Sequence, residues 1–230
     1  MFRPLALLLC VVVVGLAACG GDDDDGSSGS PASDDPAPQA ERASKCEQAA
    51  QPKPKPSGGA KRPAKALAPN ATYEVVLTTS CGEITIRLDQ KTSPKTAASF
   101  AALAKSGFFD GTVFHRIVPD FVIQGGDPTA TGMGGPGYST RDVPPQDATY
   151  TKGTVAMAKT QTEPPGTAGS QFYIVTAPDA GLPPEYALLG KVVKGQDVVA
   201  AIGRLGDPAS GDAGTPLQPV VVERATVRES

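Results

Sequence analysis

The chain has 230 residues, of which 40% are hydrophobic and 20% are charged, and its formal net charge is -3 at pH 7. These values are ordinary for a globular protein, and the length allows one domain or two. The slightly acidic balance argues against a nucleic-acid-binding protein, which would carry a basic face or stripe.

Residues 1–18 have the composition of an export signal. One positive charge, Arg3, precedes an uninterrupted apolar run from Leu5 to Ala18. The run is shorter than the roughly 20 residues that span a bilayer, and it matches the apolar part of a secretory signal peptide. It ends in LAAC, residues 16–19, which resembles the lipobox of bacterial lipoproteins. The resemblance implies cleavage before Cys19 and acylation of that cysteine, and the alternative is an ordinary signal peptide with an incidental cysteine.

Acylation would make Cys19 a stable membrane anchor, because two or more acyl chains hold a protein on a bilayer far better than one. We therefore predict that the chain is attached through its N-terminal lipid to the extracytoplasmic face of the cell membrane.

Residues 19–70 are predicted to be a lipid-attached, disordered linker. The segment is rich in Gly, Ser, Pro, Ala and charge, and shows no helical or alternating hydrophobic pattern. Such a composition cannot bury enough apolar surface to offset the loss of chain entropy. Its six aspartates lie between Asp22 and Asp35, and most of its basic residues lie between Lys53 and Lys65. We interpret the aspartates as a solvated charge run and not as a metal site.

Two cysteines remain beyond the signal and the lipid site, Cys46 and Cys81. An even pair of cysteines in an exported protein favours a disulfide, which would tie the end of the linker to the first hairpin of the domain. Two free thiols are the alternative.

Residues 71–230 carry the patterns of a folded domain. Two β-like runs between Thr72 and Asp89 flank a Ser-Cys-Gly turn, which predicts a hairpin. Residues 92–107 predict a helix with Ser93 as N-cap, a proline at its first position and a glycine at its end. Short strands follow, then a second helix over 195–203 and a last strand. Together these elements predict a mainly-β fold, a closed or nearly closed antiparallel barrel capped by two α-helices.

The single histidine, His115, invites assignment to a Ser-His-Asp triad or a zinc site. A zinc site needs clustered His, Cys or carboxylate ligands at fixed spacings, and the sequence has no such cluster. We therefore predict no metal, and we interpret His115 as a packed, hydrogen-bonded residue within a strand. The literal GxGxxG at 132–137 is followed by residues that cannot continue a helix, so we interpret it as a loop and not as a dinucleotide site.

The stretch FHRIVPDFVIQGGD, residues 114–127, resembles the signature of the cyclophilins, a family of peptidyl-prolyl cis-trans isomerases. Segments similar to other parts of the family occur in family order: SPKTAASFAALAKSGFFDGTV before it, and GTVAMAKT, AGSQFYIVTA and YALLGKVVKGQDVV after it. The resemblance covers nearly all of 72–228. It implies a closed barrel of eight strands, isomerisation of X-Pro bonds without a cofactor, and proline-containing polypeptides as partners. We also expect a monomer.

The chemistry needs no nucleophile. Resonance in the C–N bond sets the rotation barrier at ~18–20 kcal/mol, and the prolyl nitrogen regains a lone pair as the bond twists. A fixed donor aimed at that nitrogen stabilises the twisted state more than the planar one. Arg116 matches the family's catalytic arginine and stays charged at any working pH. A structural salt bridge to Asp120 or Glu163 is the alternative role.

The resemblance also assigns the substrate pocket. Its apolar members would hold the proline ring, its two glutamines would position Arg116 or bind the substrate backbone, and the backbone of 158–159 would pair with the extended substrate. A place in the barrel core is the alternative for each apolar member. The assigned residues are Phe121, Val122, Gln124, Ala158, Lys159, Gln171, Tyr173, Leu182 and Tyr186.

We therefore predict a lipid-tethered peptidyl-prolyl isomerase that assists the folding of exported polypeptides. A non-catalytic module or chaperone that binds proline-containing peptides in the same groove is the main rival hypothesis. A structural surface adhesin would explain the tether but not the pocket.

Overall fold

The computed structural model describes residues 46–230; the predicted signal peptide, the lipid site at Cys19 and the aspartate run lie outside that range. Its strands are β1 (Tyr73–Thr79), β2 (Gly82–Leu88), β3 (Thr112–Val113), β4 (Arg116–Val118), β5 (Val122–Gly125), β6 (Thr140–Arg141), β7 (Thr154–Met157), β8 (Thr167–Ala168), β9 (Phe172–Val175), β10 (Leu188–Lys194) and β11 (Val221–Glu229). Its helices are α1 (Pro94–Lys105), α2 (Gln196–Gly203) and a 3₁₀ helix (Pro208–Ala213). None of the helices in this range has the length and apolar character needed to cross a membrane.

The predicted hairpin is formed by β1 and β2, which pair antiparallel around the turn at residues 80–81. Side chains alternate between the two faces of a strand. The inner face is therefore apolar and fully buried, with Val75 and Leu77 opposite Ile86 and Ile84. The centre of the hairpin departs from strict alternation, since Val76 and Thr85 on the other face are buried as well.

The main sheet is a curled half-barrel. Nine strands lie in the order β3-β11-β1-β2-β10-β7-β9-β5-β4, and β6 pairs separately with β8. The edge strands β3 and β4 are separated in the chain by Phe114 and His115 alone, so the sheet must curl to bring its two edges near each other. These two residues have no strand geometry, and an isolated antiparallel bridge between Val113 and Asp127 links the β3 edge to the residues after β5. The structure therefore shows a curled sheet of nine strands, and a continuous closed barrel of eight strands is not seen among the described residues.

Both predicted helices are present and cap this sheet. α1 buries Phe100 and Leu103, and α2 buries Val198, Val199 and Ile202, at the helical spacings seen in the sequence.

The start of α1 is capped differently from the prediction. Ser93 occupies the N-cap position, but its hydroxyl is buried and makes no capping hydrogen bond. Instead, the Asp142 carboxylate accepts a hydrogen bond from the Thr96 N–H at 2.7 Å. The cap is thus supplied by a loop 46 residues away, which a local sequence pattern cannot reveal.

Residues 46–70, which we call the strap, contain no helix or strand but lie against the domain. Cys46 forms a disulfide with Cys81, and Ala60 and Leu67 pack against the main core. The backbone of the strap donates hydrogen bonds to the domain from Glu47 to Ser80, from Lys55 to Pro128, from Gly58 to Gly135 and from Ala60 to Pro136. From residue 46 onward the structure therefore differs from the predicted disordered linker. The composition of the strap does not reveal this order, because its hydrogen-bond partners are loops of the domain and not residues of the strap itself.

Candidate active site

The hollow beside β4, β5 and β9 has a volume of about 250 Å³. The structure brings together there Arg116 and eight of the nine residues assigned to substrate binding: Phe121, Val122, Gln124, Ala158, Lys159, Tyr173, Leu182 and Tyr186. The ninth, Gln171, lies beside the hollow and hydrogen bonds to Gln124. Six of these residues stand outside the 114–127 signature, so only the fold brings them to Arg116.

The apolar side of the hollow rests on a cluster distinct from the main core. Val122 and Tyr173 are buried in this cluster, and Phe121, Leu182 and Tyr186 are partly buried against it. Val122 and Tyr173 are therefore core residues of this second cluster that also border the hollow, whereas Phe121, Leu182 and Tyr186 are only partly buried there.

Arg116 is positioned by a chain of side-chain hydrogen bonds. The register of β4 and β5 places it opposite Gln124. Arg116 Nη1 donates to Gln124 Oε1 at 3.3 Å, and Gln124 Nε2 donates to Gln171 Oε1 at 3.1 Å. Gln171 Nε2 in turn donates to the carbonyl oxygens of Gly132 and Gly134, each at 2.9 Å. These contacts fix the orientation of both amides, and the oxygen of Gln124 faces the guanidinium.

The guanidinium keeps donors for a substrate. Arg116 Nε donates to the Asp212 carbonyl oxygen at 3.0 Å, and the ring centre of Phe121 lies 6.0 Å from the guanidinium carbon. Within residues 46–230 its remaining N–H groups have no hydrogen-bond partner, and no carboxylate forms an ion pair with it. The alternative salt bridge to Asp120 or Glu163 is therefore absent from the described part of the chain.

Burial lowers the pKa of Arg116, while the nearby Asp212 and Tyr186 raise it. The ordinary pKa of a guanidinium exceeds ~12, so the side chain remains cationic at neutral pH. It thus presents a permanent, partly desolvated positive charge to the hollow.

Lys159 contributes more than the backbone contact that the sequence suggested. Its side chain is 3% exposed, its Nζ lies 3.0 Å from the Glu185 carboxylate, and the ring centre of Tyr186 lies 5.4 Å from Nζ. Glu185 neutralises this ammonium, which leaves Arg116 as the cation of the hollow without an ion-pair partner among the described residues. The neighbouring Ala158 donates its N–H to the Gln171 carbonyl at 2.9 Å, so its own carbonyl is what it can offer a substrate.

Asp127 organises the loop that holds Gln171, and the sequence did not identify this role. The buried carboxylate accepts hydrogen bonds from the N–H groups of Thr129, Thr131 and Gly134 and from the Thr129 hydroxyl. Burial by itself raises the pKa of Asp127, but these donors outweigh it and hold the pKa below its ordinary value. A Cβ at Gly134 would lie 2.1 Å from the carboxylate, which explains the glycine. The only feature of the sequence that pointed to this role was the position of Asp127 at the end of the 114–127 signature.

The 132–137 loop does not open a helix, in agreement with the prediction. It borders a groove of about 450 Å³ that shares Gln124, Ala158 and Lys159 with the hollow. We call this second feature the glycine-loop groove.

Two further supports of the site carried no sequence signal. The hydroxyl of the buried Tyr150 donates to the Tyr186 carbonyl at 2.7 Å and accepts from the Tyr186 N–H at 3.0 Å, which fixes one wall of the hollow. Asp212 provides the carbonyl that holds Arg116 from the 3₁₀ helix, 96 residues away in the chain.

Tyr173 has a buried hydroxyl that lacks a hydrogen-bond partner among the described residues. An unsatisfied buried hydroxyl costs ~1–3 kcal/mol. We therefore expect Tyr173→Phe to raise the free energy of unfolding by about 1 kcal/mol or more, measured by urea denaturation. Tyr150→Phe is the matched control, since it removes a hydroxyl with two partners, and it should lower the free energy by a similar amount. The reverse order of the two effects would contradict this account.

His115 lies in the break between β3 and β4 and does not border the hollow. Both ring nitrogens are buried and make no hydrogen bond of standard geometry in the described range, although the Val113 backbone and the Gln171 side chain lie near enough to raise the pKa of the imidazole. The residue lies between β3 and β4, which corrects the predicted position within a strand. Burial lowers the pKa of His115, Asp127 opposes that effect and Arg116 adds to it. The imidazole is therefore neutral at neutral pH and does not line the hollow.

This buried imidazole gives stability a defined pH dependence. The folded chain holds the His115 pKa below its unfolded value of about 6.5, so the unfolded chain takes up the proton first as the pH falls. The free energy of unfolding should be flat above about pH 6.5 and should decrease below it. Urea denaturation between about pH 5 and 8 tests this expectation, and His115→Gln should reduce the slope. An increase in stability on acidification through this window would contradict it.

Residues 74–227 match the family model of the cyclophilin-type peptidyl-prolyl cis-trans isomerases (Pro_isomerase, CLD). This range contains every residue of the hollow and excludes the strap.

Among the relatives, the Schizosaccharomyces pombe peptidyl-prolyl cis-trans isomerase ppi1 is 40% identical over 155 residues, which are 66% of this chain and 96% of that protein. The Arabidopsis thaliana peptidyl-prolyl cis-trans isomerase CYP18-2 is 37% identical over 158 residues, which are 67% of this chain and 93% of that protein.

The crystal structure of a Cryptosporidium parvum cyclophilin-type isomerase matches with a TM-score of 0.61 at 29% identity, covering 68% of this chain and 98% of that one. A second structure of that protein, in the presence of the dipeptide Ala-Pro, also matches with a TM-score of 0.61. The chain therefore belongs to the cyclophilin family of peptidyl-prolyl cis-trans isomerases.

Proposed function

We propose that this isomerase acts on exported polypeptides, that Arg116 is its catalytic residue, and that a lipid on Cys19 attaches it as a monomer to the extracytoplasmic face of the cell membrane. The observation that carries the catalytic part is a partly desolvated guanidinium with uncommitted N–H groups beside an apolar hollow.

The hollow supplies the two things that X-Pro rotation requires. The apolar cluster around Phe121, Val122 and Tyr173 receives the proline ring and excludes water from one side of the imide. Arg116 donates to the prolyl nitrogen as its lone pair returns, and this hydrogen bond is absent in the planar ground state. An interaction made only in the twisted state lowers the barrier and does not merely tighten binding.

The size of the arginine effect follows from hydrogen-bond energetics. A charge-assisted hydrogen bond contributes roughly 1.5–3 kcal/mol, and each ~1.4 kcal/mol corresponds to a tenfold change in rate. Arg116 therefore supplies about ten- to a hundredfold. The remaining acceleration comes from binding the peptide in a partly rotated conformation.

The disulfide and the N-terminal sequence support the location. Disulfides persist in oxidising compartments outside the cytoplasm, and the structure joins Cys46 to Cys81. Residues 16–19 have the lipobox pattern.

The location has its own test in a bacterial host with a lipoprotein export pathway, where the full chain is fractionated and labelled with a fatty-acid analogue. Wild type should be labelled and sediment with membranes, and Cys19→Ser should be unlabelled. Equal labelling of both forms would refute Cys19 as the lipid site, and recovery of wild type in the cytoplasm would refute export.

The catalytic proposal is tested by NMR exchange spectroscopy of an Ala-Pro peptide with the wild-type chain. Binding of the peptide without faster cis-trans exchange would favour a non-catalytic binding module on the same fold.

A further inference from the structure

A large groove lies away from the catalytic hollow. It has a volume of about 700 Å³ and is enclosed by strap residues 62–66, the first turn of α1, β6 with the residue before it, and residues 163–167. We call it the basic groove.

Four cations and one acid line this groove: Arg62, Lys65, Lys95, Arg141 and Glu163. No ion pair neutralises any of the four cations within the 46–230 range. The Glu163 carboxylate is held by the N–H and hydroxyl of Thr160. The lining therefore carries three excess positive charges (four minus one) in a chain whose formal net charge is -3.

Backbone contacts hold two of the cations at the groove. Arg62 donates to the Ser139 carbonyl at 2.6 Å and lies 5.3 Å from the ring centre of Tyr138. Arg141 Nε donates to the Pro165 carbonyl at 3.0 Å. A carbonyl accepts the hydrogen bond without cancelling the charge, so both guanidinium groups are fixed in position and remain electrostatically uncompensated.

The basic groove continues into the active site. It shares Ser139 and Glu163 with the glycine-loop groove, which in turn shares residues 124, 158 and 159 with the hollow. A polypeptide with its proline in the hollow can therefore run along the glycine-loop groove into the basic groove. Two of the four cations, Arg62 and Lys65, belong to the strap, which lies outside the 74–227 family match.

We propose that the basic groove binds acidic side chains of the polypeptide whose X-Pro bond lies in the hollow, so that the isomerase prefers substrates with an acidic segment several residues from the proline. This inference rests on the proposed function. A concave groove with prolines and alanines between its cations fits an extended chain better than a flat lipid surface. The backbone N–H groups at the start of α1 contribute little to the positive charge of the groove, because the Asp142 carboxylate already accepts a hydrogen bond from the Thr96 N–H.

The test compares peptides that share one Ala-Pro unit and a flexible Gly/Ser spacer of about eight residues, roughly 25 Å when extended. In the first pair, four aspartates (or four asparagines in the control peptide) precede the spacer, which is followed by the Ala-Pro unit. In the second pair, the Ala-Pro unit comes first and is followed by the spacer and then by the aspartates or asparagines. NMR exchange gives kcat and KM, and fluorescence anisotropy gives Kd. For at least one pair, the aspartate peptide should have a KM about three- to tenfold lower at equal kcat. The difference should shrink in high salt, which screens exposed charges.

Lys65→Gln with Lys95→Gln should reduce this preference about threefold and leave catalysis of a short Ala-Pro peptide unchanged. Both side chains are exposed, and neither lies in the hollow. Lys191→Gln with Lys194→Gln is the matched control, since it removes two exposed lysines of β10 that border neither groove. The control pair should retain the full preference.

Equal KM and Kd for aspartate and asparagine peptides in both pairs would overturn the inference while isomerase activity on the short peptide stands. Absence of isomerase activity of the wild-type chain on the short peptide would instead contradict the proposed function. The Kd values would then still show whether the basic groove binds acidic peptides. The basic groove could instead bind the acidic segment of the same chain. A full chain in which all six aspartates between Asp22 and Asp35 are replaced by asparagine tests this alternative. A preference seen only in that chain would assign the basic groove to the protein's own acidic segment and overturn substrate binding there.

Discussion

Arg116→Ala should lower kcat/KM for an Ala-Pro peptide by about ten- to a hundredfold, measured by NMR exchange spectroscopy. The substitution removes the cation of the hollow that has no ion-pair partner in the described range, while the apolar cluster that receives the proline ring is untouched. The loss should therefore appear mainly in kcat, and the affinity for the peptide should change little.

Arg116→Lys separates charge from geometry. An ammonium keeps the charge but cannot hold the Gln124 oxygen and the Asp212 carbonyl while still aiming a donor at the prolyl nitrogen. We expect this variant to retain part of the rate and to lie between wild type and alanine.

Arg87→Ala is the matched control for loss of an arginine, because Arg87 forms a surface ion pair with Glu74 on β1. It should leave catalysis unchanged and cost less than about 1 kcal/mol of stability. If Arg116→Ala kept the wild-type rate, or if Arg87→Ala lost rate to the same extent, the assignment of Arg116 would be wrong.

The parts of the fold that the sequence predicted are those coded by local periodicity. Two β-like runs around a Ser-Cys-Gly turn specified the hairpin of β1 and β2, and helical spacing of Phe100 and Leu103 specified the buried side of α1. Both patterns repeat within a few residues, so the chain displays them before any tertiary contact forms.

The site residues are a different case. Residues such as Tyr173 and Leu182 carry no local mark of a pocket, and the family resemblance brought them into the candidate set. The structure then placed them beside Arg116. The supports from Tyr150 and Asp212 were missed, because each acts through hydrogen bonds to a residue far away in the sequence.

The number of strands and the order of the strap could not be read from the sequence, because both depend on contacts between distant residues. The break at Phe114 and His115, which makes β3 and β4 separate strands, carries no signal in the hydrophobic alternation. The order of the strap depends on the loop carbonyls at Pro128, Gly135 and Pro136, which accept its backbone N–H groups. A proline- and lysine-rich segment looks unstructured when only its own composition is considered.

Removal of the Cys46–Cys81 disulfide should lower the free energy of unfolding by about 3–4 kcal/mol. The bond closes a loop with a sequence separation of 35 residues, and the loss of loop entropy in the unfolded chain favours the folded state. Urea denaturation of Cys46→Ala with Cys81→Ala measures the effect, and dithiothreitol should produce a similar loss in wild type. Dithiothreitol should leave the double variant unchanged, which controls for effects of the reductant itself.

The strap also determines what this substitution does to the basic groove. Its hydrogen bonds from Gly58 and Ala60 to the glycine loop lie between Cys46 and the groove, and Lys55 Nζ donates to the Asp110 carbonyl at 2.7 Å. These contacts do not depend on the disulfide, so Arg62 should stay against Tyr138 when the bond is removed. Stability should therefore fall while the preference for aspartate peptides is largely kept. A reduced protein with unchanged stability would show that the disulfide does not restrain the unfolded chain as argued. A reduced protein that loses the preference entirely would show that the disulfide holds the whole strap in place.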